Sequence, residues 1–204
     1  MGRIAVTEFV SLDGVIEAPG GGEEFEHGGW SFEFNRGDDG DKFKLDELMS
    51  ADLQLLGRVT YQGFAKAWPT MADEAGFADR MNGMPKYVVS TTLTDDDADW
   101  NNSTVIRDDV PGQISRLKEE VDRDILVAGS ARLVKTLAEH ELVDEYRLMV
   151  FPIVLGSGKR LFGEGIDKTK LRLADSTSVG PDGVLLLTYE PVRDGQNRVR
   201  SRFS

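Results

Sequence analysis

Short apolar runs bounded by Gly, Asp or Pro alternate along the chain with segments of helix length. The runs are rich in Val, Leu and Ile and are too short for helices, so the pattern predicts buried strands. The first of them alternates apolar and polar residues, with Ile4 and Val6 among the apolar positions. The predicted strands of this part are Arg3–Ser11, Gln54–Leu56, Tyr87–Ser90, Ile125–Ala128 and Tyr146–Phe151.

The segments between these strands place apolar residues at helical spacing, which predicts amphipathic helices. The predicted helices are Asp41–Ser50, Val59–Ala67, Pro111–Val121 and Ala131–Glu139. Pro111 suits the first turn of its helix, and Ser130 is placed to cap the helix that follows it.

The last quarter of the chain changes character. Leu171–Val179 and Val184–Tyr189 have strand composition and are joined by Gly180–Gly183, which is strong turn chemistry. The pattern therefore predicts a closing antiparallel hairpin, and the whole order predicts an α/β protein with a mixed sheet flanked by helices. We expect one domain over residues 1–192. The segment 193–204 holds four arginines and few apolar residues, which predicts a disordered basic tail.

One long irregular segment, Gly14–Gly40, interrupts the alternation. Loops of this length inside a compact domain are usually functional or mobile. Its aromatic residues argue against a purely solvated linker, so we expect a lid over a pocket. Trp30 and Phe34 from this segment, together with Trp68, are the candidate residues for stacking against a substrate.

Composition narrows the class of protein. The 204 residues contain no cysteine, which excludes disulfides, thiol nucleophiles and zinc ribbons. The formal net charge of −12 argues against nucleic acid as a partner. No apolar run is long enough to span a membrane and no signal peptide is seen, so we expect a cytoplasmic protein. The acidic run Asp95–Asp99 fits a solvated loop better than a metal site.

Two strand-to-helix turns carry candidate chemistry. In the first, a buried strand runs into Gly57, and the next helix opens with Arg58 and Thr60. In the second, Gly129 and Ser130 connect a strand to a helix, although this turn is not a G-x-G-x-x-G fingerprint. Free backbone N–H groups at such helix starts bind phosphate, and two of these turns suit a dinucleotide. The alternative is that both glycines only serve tight turns.

Several short motifs follow one another in a fixed order. They are Ser11–Gly14, Leu56–Phe64 with Trp68–Pro69, Val89–Ser90, Gly129–Leu133, Leu142–Tyr146 and Phe151–Phe162. As an ordered set, over about residues 3–190, they resemble the dihydrofolate-reductase-like family, typified by the C-terminal reductase domain of the bifunctional riboflavin-biosynthesis deaminase-reductase.

The resemblance implies a three-layer α/β/α fold with a central mixed, mostly parallel sheet, NADPH as hydride donor, and a homodimer. It also assigns the cofactor-binding residues by position in the family's motifs. These are Gly57, Arg58 and Thr60 in the first turn, Ser90 and Thr91 at a strand end, and Gly129, Ser130, Ala131, Arg132 and Leu133 in the pyrophosphate turn.

Two departures leave the substrate open. Ala128 stands where the riboflavin-pathway reductases typically carry an acidic residue before the pyrophosphate turn. We also expect no zinc deaminase half, because the chain has no cysteine and its only histidines are His27 and His140. We therefore expect an NADPH-dependent reductase of a small heterocycle, such as a pterin or pyrimidinone. A non-catalytic nucleotide- or pterin-binding module is the alternative, and a purely structural dimer is a weaker one.

Reduction of a C=N or C=O bond by hydride also needs a proton, which a carboxyl with a raised pKa can supply. In dihydrofolate reductases the acid lies at the start of the helix before the Gly-Arg-x-Thr turn, and an ungapped count reaches Asp41. Asp13, at the end of the first strand, is the rival. The structural alternatives are a helix N-terminal carboxylate for Asp41 and a turn residue for Asp13.

Overall fold

A computed structural model describes residues 1–22 and 24–193. These residues form eight strands and five α-helices, with short 3-10 turns at Trp30–Glu33 and Trp68–Thr70. In chain order the elements are β1 (Ile4–Ser11), α1 (Gly37–Ser50), β2 (Ala51–Gly57), α2 (Arg58–Ala67), α3 (Phe77–Gly83), β3 (Lys86–Val89), β4 (Ser103–Ile106), α4 (Val110–Glu120), β5 (Asp124–Ala128), α5 (Ala131–Glu139), β6 (Glu145–Phe151), β7 (Leu171–Val179) and β8 (Val184–Pro191).

All eight strands lie in one sheet, in the order β4-β3-β2-β5-β1-β6-β8-β7. The first six pair in parallel, whereas β8 pairs antiparallel with both β6 and β7. The expected mixed, mostly parallel sheet with a C-terminal hairpin is confirmed. Because β1 to β6 are parallel, their carboxyl ends meet at one edge of the sheet.

Helices cover both faces of the sheet, as the three-layer expectation requires. On one face, Leu48 of α1 and Tyr61 of α2 pack with Leu56 in one core cluster. On the other face, Ile114 of α4 and Val134 of α5 pack with strand residues in a second cluster. No helix in the described ranges is long and apolar enough to cross a membrane.

The predicted helices exist, with small shifts at their ends. Helix α1 begins at Gly37, four residues before the predicted Asp41, and α3 was not predicted. The predicted capping role of Ser130 is wrong. This residue lies at the N-terminus of α5 with φ 66° and ψ 61°, but its side chain makes no capping hydrogen bond.

The long segment between β1 and α1 is fastened to the protein in its described part. The Trp30 ring is only 1% exposed, and its Nε1 donates to the Glu17 carbonyl at 2.9 Å. The backbone of Ile16 donates to the Lys159 carbonyl at 2.8 Å. The predicted lid is therefore anchored to the loop that follows β6.

The C-terminal tail was predicted to begin at residue 193. The Arg193 guanidinium donates to the carbonyl of Val143 at 3.1 Å and to the carboxylate of Asp144 at 3.0 Å. Residues 194–204, on which the rest of that prediction falls, lie outside the described residues.

Candidate functional site

The two predicted turns meet at the carboxyl edge of the sheet. Strand β2 leads into α2 on one face, neighbouring β5 leads into α5 on the other, and the two strands pair directly. In open α/β sheets, ligands bind where connections from adjacent strands leave to opposite faces. We call Gly57–Thr60 and Gly129–Ser130 the paired turns.

Ser130 ties the paired turns together. Its Oγ accepts a hydrogen bond from the backbone N–H of Gly57 at 3.0 Å and lies 2.9 Å from the hydroxyl of Thr60. The left-handed backbone of Ser130 turns the side chain toward β2 instead of toward its own helix. The hydroxyl therefore joins the two helix starts, which explains why it does not cap α5.

Both glycines are required by this close approach. A Cβ at Gly57 would lie 2.5 Å from Ser130 Oγ, and a Cβ at Gly129 would lie 2.5 Å from Thr60 Oγ1. Gly129 also has φ 62°, a conformation that favours glycine. Any other residue at either position would push the paired turns apart.

Donors for an anion surround the paired turns. Neither α2 nor α5 has a side-chain cap, so the backbone N–H groups of both first turns stay available to a ligand. Arg58 and Arg132, at the starts of these helices, are exposed, and Arg58 donates to Gln62 at 3.0 Å. This donor set suits a pyrophosphate.

The remaining predicted cofactor residues occupy mixed environments. Ser90 and Thr91 follow β3, the strand beside β2, so they lie on the same edge as the paired turns. The Ser90 hydroxyl accepts the N–H of Leu93 at 2.9 Å, while Thr91 is exposed. Ala131 is half-buried at the start of α5. The Leu133 side chain is 5% exposed in the core, so only its backbone is available to a cofactor.

A buried carboxyl group lies beside the paired turns and was not among the predicted site residues. Glu8 is 5% exposed, and register places it one residue beyond Thr7, the last β1 residue paired with β5. Burial raises the pKa of Glu8 to about 8, against the lowering effects of Lys44 and of a backbone hydrogen bond at Gly129. Its Oε1 has no hydrogen-bond partner in the described part of the chain.

A second buried polar group faces the other side of β1. The Thr7 hydroxyl donates to Glu47 Oε1 at 2.8 Å and accepts from Lys44 Nζ at 2.7 Å. Lys44 and Glu47 also form an ion pair on α1, with side-chain exposures of 16% and 4%. Glu47, six residues after Asp41, is therefore an acid of α1 that faces the sheet.

Both groups leave a sequence signal. Glu8 shares its strand face with Val6 and Val10, which lie in the apolar core, so a carboxyl group interrupts an apolar alternation. Glu47 directly precedes the buried Leu48. A charged residue in an apolar register is the pattern that would have identified each of them.

The two predicted proton donors have environments that suit other roles. The Ser11 hydroxyl at 2.6 Å, with backbone N–H groups of Leu155 and Gly156, holds the pKa of Asp13 near 2 against the effect of burial. Asp13 is thus an anion that fastens two loops. The Asp41 side chain is 64% exposed and pairs with Arg36 at 2.5 Å. A catalytic role for either residue stays a prediction without support from its surroundings.

The three predicted stacking residues lie in different environments. Trp30 is core and cannot present a face to a ligand. Trp68 lies at the far end of the ten-residue helix α2, roughly 15 Å from the Gly57 turn, and packs on Phe77 with ring centroids 5.2 Å apart. Phe34 is half-buried against Phe151 at 5.7 Å. Burial thus contradicts a stacking role for Trp30, whereas the roles of Trp68 and Phe34 stay predictions.

An aromatic and cationic patch borders the carboxyl end of β1. Phe9 is half-buried, and Arg36 and Lys44 each lie 5.2 Å from the centre of its ring. Phe9 also contacts Phe151 edge-on at 5.3 Å. A separate open depression of about 570 Å³ lies at the following loop, lined by Arg160 and Phe162 among others. The depression does not coincide with the paired turns.

Comparison with known proteins identifies the family of this chain. The model of the RibD C-terminal domain family matches residues 3–185. An uncharacterized protein of Bacillus subtilis, YyaP, is 30% identical over 190 residues, which cover 92% of this chain and 94% of that protein.

Solved structures give the same fold. A putative riboflavin biosynthesis protein from Shewanella sp. PV-4 superposes with a TM-score of 0.72 at 21% identity, covering 94% of this chain and 99% of the other. The dihydrofolate reductase of Enterococcus faecalis, solved in complex with NADP(H), gives a TM-score of 0.59 at 14% identity, covering 94% and 97%. The expected dihydrofolate-reductase-like fold is confirmed, and the chain belongs to the RibD C-terminal domain family.

Proposed function

We propose that this protein is an NADPH-dependent reductase that transfers hydride to a small conjugated heterocycle, pterin- or pyrimidinone-like. The observation that carries the proposal is the junction of the paired turns, where Ser130 bonds to both Gly57 and Thr60. Two uncapped helix starts then offer backbone donors from opposite faces of the sheet to one ligand. Family membership, and a protein of the same fold solved with NADP(H), support the proposal of a reductase that uses NADPH.

The residues present fit a dinucleotide. Gly57 and Gly129 add no side chain to the space between the helix starts, which the short Ser130 and Thr60 side chains already approach. Arg58 and Arg132 would hold phosphates, and the backbone N–H groups of α2 and α5 would hold the pyrophosphate. These local donors must outweigh the repulsion expected from a net charge of −12. When bound, NADPH supplies the hydride.

The substrate would lie against the patch of Phe9 and Phe34 at the carboxyl ends of β1 and its neighbours. Aromatic faces provide stacking area for a planar ring. Lys44 and Glu47, which share a hydrogen-bonded group with Thr7, would orient polar atoms of that ring. The substrate site thus differs from the predicted one in Trp30 and Trp68.

Titration of the full chain with NADPH, monitored by calorimetry and tryptophan fluorescence, tests whether the protein binds this cofactor. We expect saturable binding at sub-millimolar concentration. The variant Arg58→Ala should weaken binding by about 1.5–3 kcal/mol, because a charge-assisted hydrogen bond to phosphate is lost. Arg116→Ala, at an exposed arginine of α4, is the matched control and should leave the affinity unchanged.

Loss of absorbance at the nicotinamide band across a panel of pterins, pyrimidinones and quinones then tests catalysis. Tight NADPH binding without turnover of any of these substrates would favour the non-catalytic nucleotide-binding module. Absence of saturable NADPH binding would contradict both readings.

We also propose that the protein forms a homodimer through the edge of its sheet. Strand β7 is the edge of the sheet and carries Leu173 at 48% exposure. An exposed edge strand offers unpaired backbone groups to a second strand. Light scattering of the wild type and of Leu173→Lys tests this assembly, since a charge at the edge should favour the monomer.

A further inference from the structure

Glu8 is a buried acid beside the proposed pyrophosphate site. Strand β1 continues past the end of β5, and Glu8 is its first residue without a β5 partner. Because Thr7 pairs with Ala128, Glu8 lies beside Gly129, the first residue of the second paired turn, and the Gly129 backbone favours the ionised form of Glu8. Any charge on Glu8 acts on a ligand held there.

The surroundings of Glu8 favour its neutral form. On its own face of β1, the neighbours Val6 and Val10 belong to the apolar core that α4 and α5 cover. The charged groups that act on it from α1 are Lys44, which favours the ionised acid, and Glu47, which opposes it. Lys44 is already paired with Glu47, so burial dominates.

A carboxylate at this position would oppose a dinucleotide. Like charges interact strongly where water is excluded, and the pyrophosphate would lie at the turn beside Glu8. A neutral carboxylic acid removes that repulsion, and its O–H gives a donor at the place where Oε1 lacks a partner.

We propose that dinucleotide binding at the paired turns requires Glu8 in its neutral form, so that Glu8 makes cofactor binding depend on pH. The inference rests on the proposed function, because it takes the ligand of the paired turns to be anionic. Glu8 is thus a positioning residue for the cofactor and not an assigned catalytic acid.

The sign of the effect follows from linkage. The pKa of Glu8 is about 8 in the unbound protein, and an anion bound nearby raises it further. Below about pH 7 the acid is already protonated, and NADPH affinity should be flat. Above about pH 8 the affinity should fall by up to about tenfold per pH unit, with uptake of about one proton for each NADPH bound.

Calorimetric titration of the full chain with NADPH tests this between about pH 7 and pH 9.5, where the 2′-phosphate of the cofactor stays ionised. Repeating each titration in two buffers of different ionisation enthalpy gives the number of protons taken up. Glu8→Gln keeps the size and neutrality of the protonated acid. It should bind NADPH as the wild type does near pH 7, with no loss at high pH and no proton uptake.

Glu145→Gln is the matched control, because Glu145 is also a buried strand acid but lies at the amino end of β6, where it pairs with Arg3. It should keep the steep pH dependence. Lys86, at the amino end of β3, also has a pKa near this range, because burial lowers it to about 8. Loss of the pH dependence in Glu8→Gln, which keeps Lys86, would assign the effect to Glu8.

Each outcome is decisive. NADPH affinity that is independent of pH in the wild type, or that falls equally in Glu8→Gln, overturns the inference and leaves the proposed function intact. Absence of NADPH binding at every pH overturns both. If Glu8→Gln fails to fold, zero proton uptake by the wild type near pH 9 still contradicts a role for Glu8.

Discussion

Buried ionisable side chains at the two ends of the parallel sheet differ in how completely they are hydrogen-bonded. At the amino end, Arg147 pairs with Asp124 at 2.5 Å and with Glu145 at 2.6 Å, and each of these side chains is at most 16% exposed. At the carboxyl end, Glu8 and Glu47 each keep a buried oxygen without a partner in the described residues. The remaining such oxygen belongs to Gln54 within β2.

This contrast separates stability from binding. A buried charge with its hydrogen bonds complete has nothing left to offer a ligand, whereas an unsatisfied buried group costs free energy unless a ligand meets it. The amino end therefore holds the strands together. The carboxyl end keeps unsatisfied acids beside two uncapped helix starts, which is the arrangement expected of a binding site.

The largest effect should come from breaking the paired charges at the amino end. Arg147→Met leaves Asp124 and Glu145 buried without their shared cation, and we expect a loss of about 3–5 kcal/mol in the free energy of unfolding. Urea denaturation at neutral pH measures it. Arg172→Met, which breaks the exposed pair with Glu190, is the control and should cost less than about 1 kcal/mol. Equal losses in the two variants would contradict the contrast.

A gain in stability is expected when the acid at the carboxyl end is neutralised. The pKa of Glu8 is raised from 4.5 to about 8 on folding, so its contribution to stability is full below about pH 4.5 and is lost as pH rises through about 8. Glu8→Gln does not titrate. Above pH 8 it should exceed the wild type by roughly 2–4 kcal/mol, with little difference near pH 4.

Denaturation curves at acidic and alkaline pH measure this difference. If the free energies of unfolding of Glu8→Gln and the wild type differ by the same amount at every pH, folding does not raise the pKa of Glu8. The experiment needs no cofactor, so it examines the buried acid independently of NADPH.

The smallest effects should distinguish two glycines of the same motif. A Cβ at Gly57 meets Ser130 Oγ at 2.5 Å, so Gly57→Ala should lower stability by about 1–3 kcal/mol and weaken NADPH binding. A Cβ at Gly63, within α2, meets nothing within 4 Å. Gly63→Ala should therefore raise stability by about 0.5–1 kcal/mol through helix propensity alone. Thermal unfolding separates these outcomes, and a harmless Gly57→Ala would mean that the paired turns are loosely joined.

Local pattern alone was enough to predict most of the fold. Alternation and helical spacing located elements such as β1, β5 and α5, because the residues of each element themselves show which of its faces is apolar. The two glycine turns could also be located, since a strand running into Gly and a helix start is a local signal. Tail residues 194–204 stay outside this comparison because they lie outside the described residues.

Only the tertiary structure decided which side chains share the site. The ungapped count reached Asp41, but helical phase turns Asp41 to solvent and Glu47 toward the sheet. Trp30 is aromatic and therefore a candidate for stacking, yet it packs with residues of β6, β7 and β8, which makes it core. The state of Glu8 depends on β5 ending one residue short of it and on Gly129 arriving from a strand about 120 positions later. Desolvation and contact between distant strands set its proton affinity, and neither is a property of the sequence near Glu8.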